Sequence, residues 1–399
     1  MKRRRVKITG IGPVTPAGIG REEFWKGILE PVSRVRPFTK FGPEYGPLVA
    51  AHIDDFDIRR YVDRTTIPKA ASRQTLFAIA GTALALKDAN ITRDELAAAS
   101  TAIICGSAIM DFGGINNTIE SVHRHGARGV LPRGIAALSA PSVINVTFGI
   151  AARTLSFQNA CCAGLDAIGK AAAMVAEGEV DMAICGGTEA PLHRCPLLEL
   201  RAAGLTPPTA DMPERLDRPF DLWRTTGVVS EGACMLILEP ESSPRKGYSY
   251  ISGYAFCNDD DGDLCGGLAT SIRLALADAR LRPAEIELIN AWGPSHRLID
   301  AAEARAIALG LGPAYEDIPV LSIKGSIGTP FAAAPAIQVA TAALSQEHSI
   351  IPPTVNWDRP DPACPLNLSN QLQSIPHDRT LINAHGIGGG NSNLILEKC

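Results

Sequence analysis

The sequence is short of aromatic residues: Phe, Tyr and Trp make up 5% of its 399 residues. A core without them is built from Ala, Val, Ile and Leu, which suits strands buried between helices. It also lacks an excess of either charge. The formal net charge is −4, so nothing marks a nucleic-acid or membrane-surface partner. No uninterrupted apolar run reaches the ~18 residues a membrane span needs. The basic start MKRRR leads into a stretch broken by Pro13 and Pro16, which argues against a secretory signal. The ten cysteines form neither a C-x-x-C pair nor a disulfide framework. Cys105, Cys185 and Cys234 lie in apolar runs and read as small buried hydrophobes of a reduced, cytoplasmic protein.

What is present is alternation. RVKITGIG, STAIICGSA, VDMAICGGTEA and ACMLILEPE read as strands. EEFWKGILE and SRQTLFAIAGTALALK between them read as helices. SVINVTFGI fits either a short helix or a strand. The later part repeats the pattern. Strands are expected at YISGYAFCN, IELINAWG, IPVLSIKGS, RTLINAHG and SNLILEK. GLATSIRLALADA, AAEARAIALG and AAAPAIQVATAAL are the expected helices. This implies an α/β fold with largely parallel central sheets. The length exceeds a single core, and a division into 1–245 and 246–399 is suggested.

Two apparent motifs carry little. Gly10-Ile-Gly12 has no third glycine at dinucleotide-binding spacing, and Pro13 follows at once, so a strand-end turn is expected. NDDDGD, residues 258–263, has contiguous acids without the spacing of a calcium loop and reads as a solvated turn.

SFQNACCAGLDAIGKAAAMVAEGE, residues 156–179, places Cys161 and Cys162 at a strand-to-helix turn. A helix starting there would aim free backbone N–H groups at the sulfur of Cys161 and favour its thiolate. Ala163 and Gly164 keep the approach open. Those residue types allow a nucleophile with its own N–H available to an oxyanion, and they equally allow an inert packed cysteine. Cys162, one step into the helix, reads as packing.

NACCAG, CGGTEA, RPFD at 218–221, EGA at 231–233, PPTVNWDRPDP at 352–362 and NAHGIGGGNSNLIL at 383–396 recur in an order that resembles the β-ketoacyl-acyl-carrier-protein synthases of the thiolase-like condensing enzymes. VKITGIGPVTPAGIGREEFWKGI matches the opening of that family, so the resemblance runs nearly end to end. It implies a five-layered αβαβα fold with two pseudo-duplicated halves and a dimer. It makes Cys161 the nucleophile, from the family segment T-A-C-x-x-G. The partner it implies is an acyl carrier protein whose phosphopantetheine arm is part of the substrate. No metal or organic cofactor is implied.

The resemblance breaks at the site. The family's two histidines lie in N-A-H-G-T and S-x-K-x-x-x-G-H; Trp292 and Thr329 stand at those positions. Ser322 and Lys324 are kept, and a family glutamate is replaced by Gln338. Condensation needs the enolate of a malonyl thioester to be held as charge develops. Neither Trp292 nor Thr329 titrates near neutral pH. Losing one donor of this kind costs about 10²–10³ in rate. Acyl transfer to Cys161 needs only the sulfur and backbone donors. His385 stands where the resemblance puts a gating phenylalanine. It is a candidate base or imidazolium partner for Cys161; the alternative is that it only fills the gate's space. Lys324 is expected to order the pocket electrostatically. His296 reads as an exposed loop residue with a possible role as stand-in, and His123 and His125 as surface residues of a polar loop.

Two functions remain open. One is a ketosynthase-like acyltransferase of fatty-acid or polyketide-type biosynthesis, with transfer or atypical condensation. The other is a non-catalytic subunit resembling the chain-length factors that pair with an active synthase, so homodimer and heterodimer both stand. Kept Cys161 favours the first; the missing histidines favour the second.

Overall fold

The computed structural model describes residues 3–67, 71–126, 139–260 and 262–399. The strand Val6–Thr15 lies in the middle of a twelve-stranded mixed sheet. On one side of it follow Gly232–Pro240, Met182–Glu189, Thr101–Gly106 and Arg153–Phe157. Their pairings run antiparallel, antiparallel, parallel, parallel. On the other side the series starts again from Ser249–Asn258, with Gly390–Lys398, Arg379–His385, Leu288–Asn290 and Pro319–Leu321. These pairings repeat the same sequence of directions. One topology is therefore used twice, and the two copies touch where Val6 and Lys7 pair with Ile251 and Tyr250.

Away from the edge strand Arg153–Phe157, both faces of each half are largely buried, and the strand period of two sorts the side chains between separate cores. Ala102 and Ile104 point into a central core; Ile103 and Cys105 point into an outer one. Leu394 and Leu396 join the same central core, while Ile395 joins a third, on the far side. The helices Ala163–Glu177 and Ala333–His348 fill the central layer. Arg73–Asp88 and Ala140–Phe148 cover one outside face. Gly266–Ala279 and Arg297–Leu311 cover the other. The result is the five-layered α-β-α-β-α arrangement expected. Fourteen of the sixteen residues of Ala333–His348 are buried, and six are Ala, which lets a helix fit between the two halves of the sheet.

Several expectations change. Gly10 and Gly12 lie inside the first strand, not at its end turn. A Cβ on Gly12 would meet the Gly81 carbonyl oxygen at 1.9 Å, so glycine there admits the helix Arg73–Asp88. SVINVTFGI is a helix, closed by Gly149 at φ +66°. His123 and His125 are exposed, but on the last turn of the helix Phe112–His125 rather than in a loop. IELINAWG and IPVLSIKGS supply only three-residue strands, and Lys324–Ile327 forms a helical turn instead. Among the described residues no helix is long and apolar enough to cross a membrane.

Candidate active site

The chain leaves the strand Arg153–Phe157 and turns sharply. Ala160 sits at φ +58°, a left-handed conformation that a residue with a Cβ seldom adopts. The turn Ala160–Cys162 runs straight into the helix Ala163–Glu177. The segment before Ala333–His348 is pressed against it: a Cβ on Gly164 would lie 2.1 Å, and one on Gly187 2.2 Å, from the Ala332 carbonyl oxygen.

Cys161 is 4% exposed. Burial pushes its thiol up to about 12, and the Glu189 carboxylate acts in the same direction. The backbone N–H groups of Ile387 and of Cys161 itself oppose this, as does the Lys324 ammonium. The expected advantage of the helix start is thus outweighed by burial. A thiol so held needs a base that takes its proton during attack. The same two N–H groups are the donors an oxyanion beside Cys161 would use. Cys162 turns away and donates its S–H to the Gly390 carbonyl at 3.2 Å, as a packed cysteine does.

A cavity of about 250 Å³ opens at Cys161, and Trp292, His296, Thr329, His385 and Ile387 line it. Four residues singled out from sequence, Cys161, Trp292, Thr329 and His385, are therefore brought together. Lys324 is not among the lining residues. It is fully buried behind Trp292, with Nζ 4.5 Å from the ring centroid and 3.0 Å from Gln338 Oε1, to which it donates. Burial lowers its pKa to about 7, against the pull of Glu303 and Asp217. Glu303 in turn accepts the backbone N–H groups of Trp292 and Gly293, both at 2.8 Å, and Asn383 Nδ2 at 3.0 Å. The loop bearing residue 292 and the strand bearing residue 383 are tied through one carboxylate.

His385 is 5% exposed, whereas Ile387, two residues on, is 56% exposed. The residue at the cavity mouth is thus Ile387, and His385 lies inside. His385 Nδ1 is 2.6 Å from Asn391 Oδ1. The Asn391 amide nitrogen is committed elsewhere, to Asp259 Oδ1 and the Gly389 carbonyl, each at 3.0 Å. The network therefore assigns the proton of His385 to Nδ1 and leaves Nε2 a lone pair. Among the described residues no hydrogen bond joins His385 to Cys161; the cavity is what they share.

His296 corrects another expectation. It is half-buried rather than exposed, it occupies the N-cap position of the helix Arg297–Leu311 without a side-chain capping bond, and among the described residues its buried Nδ1 has no partner. Burial first, then the Arg224 guanidinium, lowers its pKa. Thr329 Oγ1 is likewise buried at the cavity wall and, among the described residues, unpartnered. The sequence reading missed Asn391, Asp259 and the N–H of Ile387. Asp259 belongs to the run taken for a solvated turn; its side chain instead accepts Gly267 N–H at 3.0 Å as well as Asn391. Asp261 of that run lies outside the described residues. Among the described residues no three His, Cys, Asp or Glu side chains converge as metal ligands would.

Residues 3–243 match the N-terminal domain of beta-ketoacyl synthase, and residues 248–358 match its C-terminal domain. The chain belongs to the beta-ketoacyl synthase family. A putative polyketide beta-ketoacyl synthase 1 of Streptomyces virginiae is 32% identical over 99% of this chain and 98% of its own length. The 3-oxoacyl-[acyl-carrier-protein] synthase 2 of Coxiella burnetii is 30% identical over 100% of this chain and 99% of its own. Among solved structures, the ishigamide ketosynthase/chain length factor superposes with a TM-score of 0.90 at 29% identity, covering 100% of both chains. A type II polyketide ketosynthase solved with its acyl-carrier protein gives 0.88 at 26%, again over 100% of both. Within this beta-ketoacyl synthase fold the cysteine turn is retained, while positions 292 and 329 carry Trp and Thr.

Proposed function

We propose that this beta-ketoacyl synthase family member accepts an acyl group on Cys161 from the phosphopantetheine thioester of an acyl carrier protein, then passes it on by transfer or by an atypical condensation. One observation carries the reading: Cys161 lines a cavity that also holds the imidazole of His385, and the backbone N–H groups of Ile387 and of Cys161 itself favour its thiolate. In the first step Cys161 Sγ adds to the thioester carbonyl and its proton goes to His385 Nε2. The two N–H groups hold the oxyanion. The carbon–sulfur bond to pantetheine breaks, and the departing thiolate takes the proton. Lys324, behind Trp292, adds positive charge without touching substrate. No metal or organic cofactor is needed, since the pantetheine arm arrives with the substrate.

The second reading is a partner subunit. A solved neighbour is itself a ketosynthase/chain length factor, and the strand Arg153–Phe157 ends the sheet exposed along four of its five residues, open to another chain. Either a homodimer or a heterodimer fits that edge.

Supplying octanoyl- and malonyl-loaded carrier proteins together separates the readings. Acyl uptake with little CO2 release is the expected result. CO2 release at the rate of an ordinary elongating synthase would overturn the altered-chemistry claim. No uptake, with copurification of an active synthase, would assign the subunit role.

A further inference from the structure

The buried groups behind His385 say what kind of acceptor the site serves. Asn391 is fully buried, its Oδ1 receives the Nδ1 proton of His385 at 2.6 Å, and its amide nitrogen donates to Asp259 Oδ1 at 3.0 Å. Asp259 is held in turn: its backbone N–H donates to the Gly389 carbonyl at 2.8 Å, and its Oδ1 accepts Gly267 N–H at 3.0 Å. Among the described residues its Oδ2 is buried without a partner. Carboxylate, amide and imidazole form a line that ends at a lone pair in the cavity of Cys161. The order nucleophile, imidazole, orienting amide is the one used by cysteine enzymes that move acyl groups to heteroatoms.

We infer that the acyl group on Cys161 is handed to a hydroxyl or an amine, with His385 as the base and Asn391 and Asp259 as the residues that position it. This rests on the acyl-cysteine reading above. The chemistry separates the two classes of acceptor. A malonyl carbanion gets its electron pair from loss of CO2, so it needs donors for an enolate oxygen and no base. This cavity offers Trp292 and Thr329 where paired imidazole donors would be wanted, and the Lys324 cation lies behind the indole. A hydroxyl or amine must instead lose a proton as it attacks, and an imidazole with a fixed tautomer supplies that. The acceptor X–H adds to the thioester carbon, and its proton goes to His385 Nε2. The N–H groups of Cys161 and Ile387 hold the oxyanion. The carbon–sulfur bond breaks, and Cys161 recovers the proton from His385.

The test loads Cys161 from octanoyl-N-acetylcysteamine and follows adduct loss by intact mass with n-butanol or n-butylamine present. One of these probes should discharge the wild type and yield butyl octanoate or N-butyloctanamide; the product tells alcohol from amine. Asn391→Ala should slow discharge at least ~10-fold, and Asn391→Asp should restore much of it, because a carboxylate also accepts from Nδ1. Equal rates in wild type and Asn391→Ala, or discharge by malonyl-N-acetylcysteamine alone, would overturn the inference. Nitrogen-15 NMR of the histidine rings, with His385→Phe for assignment, reads the relay without any adduct. An Nδ1–H tautomer that disappears in Asn391→Ala is expected; an Nε2–H tautomer in the wild type would overturn the relay. Failure of the wild type to load at all counts against Cys161 as acyl acceptor, and the NMR result still decides the relay.

Discussion

Lys324 Nζ lies 4.5 Å from the centroid of the Trp292 ring, and it is the ring, not Lys324, that lines the cavity of Cys161. Trp292 therefore covers a buried amine that is mostly cationic only below about pH 7. The cation–π contact supplies part of what a carboxylate partner would. Replacing Trp292 by Ala should cost about 3–5 kcal/mol in chemical denaturation, the range for losing a large buried aromatic. It should also let water reach Lys324. A loss below about 1 kcal/mol would mean that the ring packs more loosely than described.

Lys324 also sets a pH dependence. Its pKa in the fold is lowered to about 7 from the usual 10.5 by burial. Between those values the unfolded chain binds more protons than the folded one, so this group's contribution to stability rises as pH rises. Lys324→Met removes that contribution. From pH 8 to 10 the wild type should gain about 1–3 kcal/mol relative to the variant, at about 1.4 kcal/mol per pKa unit. Parallel stability curves would contradict this.

Gln338 is matched to its place as an amide. Its Nε2 donates to the carbonyls of Asn290, Ala291 and Asn383 at 3.0, 2.9 and 3.2 Å, while its Oε1 accepts from Lys324. A carboxylate there would gain a closer charge partner but face three carbonyl oxygens. Gln338→Glu should lose about 2 kcal/mol, since each buried acceptor left without a donor costs about 1–3 kcal/mol. The loss should grow as the new carboxyl ionises. Equal or higher stability than wild type at pH 8 would show that the ion pair wins.

Thr329 makes the opposite case. Its hydroxyl is buried with no partner among the described residues, so Thr329→Val should leave the protein as stable or more stable by up to about 1 kcal/mol. Acyl loading should continue, because the donors assigned to the oxyanion are backbone groups. Loss of loading in a stable Thr329→Val would make that hydroxyl part of the oxyanion site.

The helix behind the nucleophile depends on bare glycines. Gly164→Ala puts a Cβ 2.1 Å from the Ala332 carbonyl oxygen, closer than real contacts come, and backbone must shift. We expect a loss of about 1–3 kcal/mol or more and poor acyl loading. Gly266→Ala, where the new Cβ meets nothing within 4 Å among the described residues, is the control and should be close to neutral. Similar losses in both would argue against that tight packing.

The layers were legible because strands buried on both faces read as apolar runs and most helices carry helical periodicity. The short strands were overcalled: in IPVLSIKGS, Lys324–Ile327 winds into a helical turn although the residues are apolar enough for strand. Cys161, Trp292 and Thr329 were found from motif positions. His296 was misjudged, since its burial comes from elements distant in sequence. Asn391 and Asp259 were invisible for the same reason: 132 residues separate them, and only pairing of Ser249–Asn258 with Gly390–Lys398 makes them neighbours. The height of the Cys161 thiol pKa could not be read from a turn motif either, because it is set by how completely the surrounding layers exclude water.

The most direct measurement is the mass of the intact protein after incubation with octanoyl-loaded acyl carrier protein, followed by peptide mapping. The account predicts one octanoyl adduct, placed on Cys161 and absent from Cys161→Ala. Protein that stays unmodified, while an ordinary beta-ketoacyl synthase beside it is acylated, would contradict it.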